Sequence, residues 1–136
     1  MELQTSSNPQ GANCLSKYCP SQSVLDMIAD RWTVLVAYAL KLNGTMRYNQ
    51  LQTTVEGISQ KMLTQTLRSL ERNGLVKRTV YPVVPPHTEY NLTELGHSLD
   101  DVITQMAIWS MQNMPEVITA RANYDARVNE TLQPRA

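Results

Sequence analysis

The chain has 136 residues, 42% of them hydrophobic, and its 12 Lys or Arg are balanced by 12 Asp or Glu. This fits one domain with short appendages and a core of ordinary size. No apolar run approaches the roughly 20 residues needed to span a bilayer, and the polar N-terminus (Thr5, Ser6, Ser7, Asn8, Gln10) has no apolar signal segment, so a cytoplasmic protein without a membrane partner is expected.

In chain order, residues 1–20 read as a flexible arm, with Pro9, Gly11 and Pro20 and little periodicity. Ser21 or Ser23 is expected to cap a first short helix carrying Val24, Leu25 and Ile28. A second helix, about 31–42, sets Trp32, Leu35, Val36, Ala39 and Leu40 at three- and four-residue spacings, one buried stripe. Asn43-Gly44 ends it with a residue suited to positive φ. Residues 45–48 offer a short strand, and a third helix, about 48–54, turns Leu51 inward, with Val55 following it.

Glu56-Gly57 makes the turn into a fourth helix that Ser59 caps. The capping box is incomplete, because Met62 stands where Glu or Gln would reach back. Ile58, Leu63, Leu67 and Leu70 point inward, while Lys61, Thr64, Gln65, Arg68 and Arg72 share the opposite face. Asn73-Gly74 stops the helix. Residues 75–81 and 88–92 then read as paired strands around a stiff tip of Pro82, Pro85 and Pro86. Thr93 caps a long helix to about Met114, whose Leu95, Leu99, Val102, Met106 and Trp109 most simply form core. Pro115 is expected to open a separate last helix to about Val128, followed by a polar tail.

The neutral total hides a segregated charge. Residues 41–78 carry seven Lys or Arg against two acids, and residues 79–136 carry three against seven. Such asymmetry suits a basic face aimed at phosphates. A helix that is apolar on one side and carries Lys, Gln, Thr and Arg on the other suits the major groove of DNA. The order of helices, turn, basic helix and hairpin reads as a winged helix-turn-helix, mainly α with a small β-hairpin wing (α+β). Its expected parts are an arm over 1–20, a winged domain with a long dimerisation helix over 21–114, and a C-terminal helix and tail over 115–136.

The chain resembles the HxlR-type winged-helix transcriptional regulators, relatives of the MarR family. The resemblance rests on Cys19-Pro20, Asp30-Arg31-Trp32-Thr33-Val34-Leu35, Arg47-Tyr48-Asn49-Gln50-Leu51, Gly57-Ile58-Ser59-Gln60-Lys61-Met62-Leu63-Thr64, the run from Leu67 to Val76, Tyr81-Pro82-Val83-Val84-Pro85-Pro86 and Glu89-Tyr90-Asn91-Leu92-Thr93-Glu94-Leu95-Gly96. Asp30-Arg31 departs from the Gly-Lys more usual in that family. The resemblance implies a homodimer, paired through its N- and C-terminal helices, on a palindromic operator in double-stranded DNA. Ser59, Gln60, Lys61, Thr64, Gln65 and Arg68 are then the candidates for the groove, and Arg47, Lys77, Arg78 and His87 for the backbone or the minor groove. Apolar surface beyond one stripe on the long helix favours dimerisation, with Leu99, Ile103, Met106 and Trp109 as candidate interface.

Cys19 aligns with a cysteine that several branches of that family use to sense oxidants or electrophiles, with Cys14 as the other candidate thiol. The bland reading is an inert, half-buried cysteine. Cys14, Cys19, His87 and His97 show no zinc-like spacing, so neither a metal nor a cofactor is expected. Nor is catalysis, because no phosphate loop or nucleophile elbow is present. Two other readings stay open. One is a winged-helix module for protein–protein assembly. The other is a regulator holding a small-molecule effector in a pocket lined by Trp32, Tyr38 and Trp109.

Overall fold

The computed structural model describes residues 15–132, so Cys14 and most of the expected arm lie outside the described residues. The elements are α1 (Ser21–Ile28), α2 (Arg31–Asn43), β1 (Met46–Arg47), α3 (Tyr48–Thr54), α4 (Gln60–Arg72), β2 (Val76–Tyr81), β3 (His87–Leu92) and α5 (Glu94–Leu132). The chain divides into two compact units, Met1–Asp100 and Asp101–Ala136. Every element from α1 to β3 belongs to the first unit.

The predicted hairpin is present and gains a third strand. Strand order is β1-β3-β2, all antiparallel. Met46 and Arg47 lie opposite Tyr90 and Glu89, while Val76 and Arg78 lie opposite Leu92 and Tyr90. Successive side chains leave opposite faces of a strand. Val76, Tyr90 and Leu92 are all buried, so they mark the core face of the sheet. Against it pack Val36 and Leu40 of α2, Leu51 of α3, and Leu63, Leu67 and Leu70 of α4.

The helix boundaries have identifiable causes, and several differ from expectation. α1 begins after Pro20 with no side-chain cap. Ser21 and Ser23 lie inside the helix, and the Ser23 hydroxyl donates to the Pro20 carbonyl (2.8 Å). The cap that does form opens α2: the Asp30 carboxylate accepts from the Thr33 N–H at 3.1 Å. The departure at Asp30 thus supplies a side-chain acceptor at the start of α2 that glycine lacks. In α2 the buried set is Thr33, Val36, Ala37, Ala39 and Leu40, and Leu35 falls outside it.

α5 shows the largest difference. It runs unbroken through Pro115, where two helices were expected. Proline deprives the Met111 carbonyl of its N–H donor and disfavours a helix by about 3 kcal/mol. Pro115 is exposed, however, so water can solvate that carbonyl. No glycine lies near it, and the flanking Met, Gln, Glu and Ala are good helix formers. The expected core stripe is largely outside the core: Leu95, Val102, Met106 and Trp109 are exposed, whereas Ile103 is 2% exposed. Among the described residues no helix is long and apolar enough to cross a membrane.

Gly96 controls how α5 begins. The Thr93 hydroxyl accepts the Gly96 N–H (3.0 Å) and donates to the Gly74 carbonyl (2.6 Å). This draws the first turn of α5 onto the start of the wing. A Cβ at Gly96 would collide with the Leu75 carbonyl oxygen. That oxygen is held in place by the Thr93 N–H (3.0 Å), so it cannot swing aside. Gly96→Ala is therefore expected to lower stability by about 1–3 kcal/mol, as overpacking does. Urea melts should show a reduced midpoint at unchanged slope, and an unchanged midpoint would contradict this account.

Candidate nucleic-acid interface

The polar flank of α4 is set by its leucines. Leu63 and Leu70 are fully buried, and Thr66 and Leu67 nearly so. At 3.6 residues per turn, burying these positions leaves Gln60, Lys61, Gln65, Arg68 and Arg72 in solvent, and all five are exposed. The start of the helix is fixed by Ser59, whose hydroxyl oxygen accepts the Met62 N–H at 3.0 Å. The N–H groups of Gln60 and Lys61 precede the first intrahelical bond and point outward at the positive end of the helix dipole.

Thr64 does not share this freedom. It is half-buried, and its hydroxyl lies 2.8 Å from the Tyr48 hydroxyl. The same Tyr48 hydroxyl donates to the Gln60 carbonyl at 2.9 Å. Tyr48, the first residue of α3, thus ties the two helices of the helix-turn-helix together. The other end of α4 is tied to the wing: Glu71 Oε1 accepts from Arg78 Nε at 3.2 Å. Both side chains are largely exposed, so the pair contributes little stability and is open to exchange.

Between these two ties lies a cleft of about 300 Å³, lined by Tyr48, Thr64, Arg68, Glu71, Arg78 and Tyr90, with Leu67 as its floor. Burial pushes the Tyr90 phenol above its usual range. Arg78 opposes the shift, Glu71 and Tyr48 add to it, and Arg68 opposes it weakly. Tyr90 therefore stays a neutral hydroxyl in any physiological buffer.

The remaining sequence candidates separate. Arg78 shares the face of β2 that carries Val76, opposite Tyr90, whereas Lys77 leaves the other face opposite Asn91. The two neighbouring cations therefore do not act as one patch. His87 is stacked on Tyr81 (ring centroids 4.8 Å apart), and its Nε2 lies 3.4 Å from Glu89 Oε2. Arg47 is exposed and lines a more open hollow of about 700 Å³ with Asn49, Gln50, Pro86 and His87. Cys19 is a half-buried free thiol in the turn before α1. Among the described residues no group of three or more His, Cys, Asp or Glu could hold a metal ion.

Sequence reasoning missed Tyr48, Glu71 and Tyr90 as members of this site. Tyr48 meets its partners 12 and 16 residues away, and Arg78 meets Glu71 across a helix-strand turn. No local pattern encodes such pairs. The available signal was a tyrosine at the first position of α3, where an apolar ring would have sufficed for packing.

Residues 27–118 match the family described as HxlR-like helix-turn-helix. The chain is 40% identical over 120 residues to the uncharacterized HTH-type transcriptional regulator YtfH of Escherichia coli (strain K12), covering 88% of this chain and 94% of that protein. The solved structure of the transcriptional regulator YtfH from Salmonella typhimurium aligns with a TM-score of 0.76 at 43% identity, covering 81% of this chain and 97% of the other. The redox regulator HypR in its oxidized form aligns with a TM-score of 0.64 at 40% identity, covering 70% and 97%. With its polar helix flank and three-stranded wing inside the matched region, the chain belongs to the HxlR-like helix-turn-helix family of DNA-binding transcriptional regulators.

Proposed function

We propose that the protein is a sequence-specific regulator that acts as a two-fold dimer on a palindromic operator. One observation carries this reading: Gln60, Lys61, Gln65 and Arg68 stand free on one flank of α4 while the leucines opposite are buried. In the major groove, Gln pairs with adenine edges and Arg with guanine. Ser59 and the first-turn N–H groups suit a phosphate. Arg47, Lys77 and Arg78 position the chain on the backbone. Arg78 does so by exchanging Glu71 for a phosphate, and Lys77 serves a phosphate on the far face of the wing. His87, already engaged by Tyr81 and Glu89, is the weakest of the backbone candidates.

A second copy is supported by α5. Within the unit Asp101–Ala136, Met106, Trp109, Met111, Met114 and Ile118 are exposed, and Trp109 retains 59% of its surface. A run of large apolar side chains in water favours association. Met106 and Trp109 are then the interface residues, Leu99 is a half-buried margin, and Ile103 is buried within its own chain. Two-fold pairing sets two reading helices about one DNA turn apart, roughly 34–36 Å.

The test is binding to sequences selected from a random duplex pool, measured over a salt series. Steep loss of affinity with salt is expected, because several phosphates are neutralised. A flat response, or no bound fragment, would favour an assembly module instead. Arg68→Ala should cut specific affinity by about 5- to 150-fold, the equivalent of roughly 1–3 kcal/mol, and leave nonspecific affinity nearly unchanged. An equal loss on both would put Arg68 on phosphate. Trp109→Glu should give monomers in sedimentation and weaken operator binding by at least about tenfold. A dimer of undiminished strength would move the interface elsewhere.

A response to oxidants is favoured by the likeness to the redox regulator HypR, with Cys19 as the free thiol that would carry it. Joining Cys19 to a second thiol, on the other copy or at Cys14, releases two protons and gives two electrons to the oxidant. This would shift α1, whose first backbone bond runs from the Gln22 N–H to the Cys19 carbonyl at 3.0 Å. Operator affinity of the wild type should change on treatment with a thiol oxidant and recover with a reductant, while Cys19→Ser should not respond. An identical response in Cys19→Ser would transfer the signal to a small-molecule effector.

A further inference from the structure

We infer that the Tyr48 hydroxyl is a specificity-determining positioning group, which makes Thr64 an obligate hydrogen-bond acceptor toward DNA. The inference deepens the reading of α4 as the groove-reading helix and rests on it. Its basis is proton accounting. A phenol carries one proton. The Gln60 carbonyl, 2.9 Å away, can only accept, so the Tyr48 proton goes there. The Thr64 hydroxyl lies 2.8 Å from the same phenol oxygen, and with that oxygen's proton already spent, Thr64 must be the donor.

This arrangement is unusual for a helical threonine, whose hydroxyl ordinarily donates to the carbonyl four residues back. Here that carbonyl is Gln60, and Tyr48 has taken its free lone pair. The Thr64 proton therefore points away from the groove, toward α3. What remains on Thr64 Oγ1 is lone-pair density beside Gln60, Gln65 and Arg68. In the major groove an acceptor-only hydroxyl finds partners in the amino groups of adenine N6 and cytosine N4. It is repelled by guanine O6 and thymine O4. Without the Tyr48 hydroxyl, Thr64 would bond only to the Gln60 carbonyl of its own helix, a weak contact that it can give up to donate to such a base. Tyr48, without touching DNA, thus narrows the bases that Thr64 accepts to those presenting an amino group.

The experiment is sequence selection from a random duplex pool by the wild type, Tyr48→Phe, Thr64→Val and Thr64→Ser, with nonspecific affinity and thermal midpoint measured alongside. Wild type and Thr64→Ser should prefer adenine or cytosine at one position of each half-site. Tyr48→Phe and Thr64→Val should relax that same position by roughly five- to tenfold, the scale of one hydrogen bond. Nonspecific affinity should hold, and the thermal midpoint should fall by no more than the few degrees that a lost hydrogen bond or two cost. Tyr48→Phe keeps the ring, and Thr64→Ser tests the hydroxyl without touching Tyr48. The inference is overturned if Tyr48→Phe keeps the wild-type preference, weakens all sequences alike, or relaxes a position different from that of Thr64→Val. If the wild type itself selects no sequence, the groove-reading assignment of α4 falls, and this inference with it.

Discussion

The burial of Leu63, Leu67 and Leu70 is the constraint on which the rest of the interface depends. These side chains join Val36, Leu40, Leu51 and Leu92 in one core, and their spacing fixes the rotation of α4 about its own axis. Rotating the helix by a quarter turn would bring Arg68 or Gln65 toward an apolar interior, where an unpaired charge or amide costs several kcal/mol. The polar flank is therefore free because the core admits no other orientation. Ser59 then fixes where the helix starts, and Gly74, at φ +79°, where it stops.

Rotation is not the same as rigidity, and the two ends of α4 are secured by different means. At its start, Tyr48 bonds to a backbone carbonyl and a side-chain hydroxyl, both short contacts and the second partly shielded. At its end, Glu71 and Arg78 make an exposed ion pair that a phosphate can replace. A helix held firmly at one end and loosely at the other suits a reading head: the residues nearest the base edges keep their geometry, and the wing adjusts to the backbone. The neutral Tyr90 hydroxyl lines the same cleft as Arg68 and Arg78 and adds no charge there, so Glu71 is the one anion of that lining.

Charge segregation explains how a chain with no net charge can serve a polyanion. The excess of Lys and Arg falls in residues 41–78, which build α3, α4 and the first wing strand, and the excess of acids falls after residue 79. Local sign is what phosphates meet within a Debye length of about 8–10 Å. Glu71 is one of two acids inside the basic segment, with Glu56, and it is the residue that holds Arg78 against α4.

Much of this was legible in the amino-acid sequence, for reasons that are local. The leucine spacing of α4, the Ser59 cap, the glycines at 44 and 74, and the branched strands on either side of a proline-rich tip each act within a few residues. Periodicity and turn chemistry therefore determined the element order, the winged architecture and the exposed face. The misses are also physical. Pro115 reads as a boundary because its helix penalty is local, yet an exposed helix of good formers absorbs that penalty. Leu95, Val102, Met106 and Trp109 have core periodicity, but periodicity says only that a face is apolar and not what covers it. Tertiary structure alone decided that Glu71 claims Arg78 and that Tyr48 takes the carbonyl Thr64 would otherwise use. Those outcomes depend on which atoms meet across gaps of 7 to 16 residues, and hydrogen-bond partners at such separations are chosen by packing in space rather than by spacing along the chain.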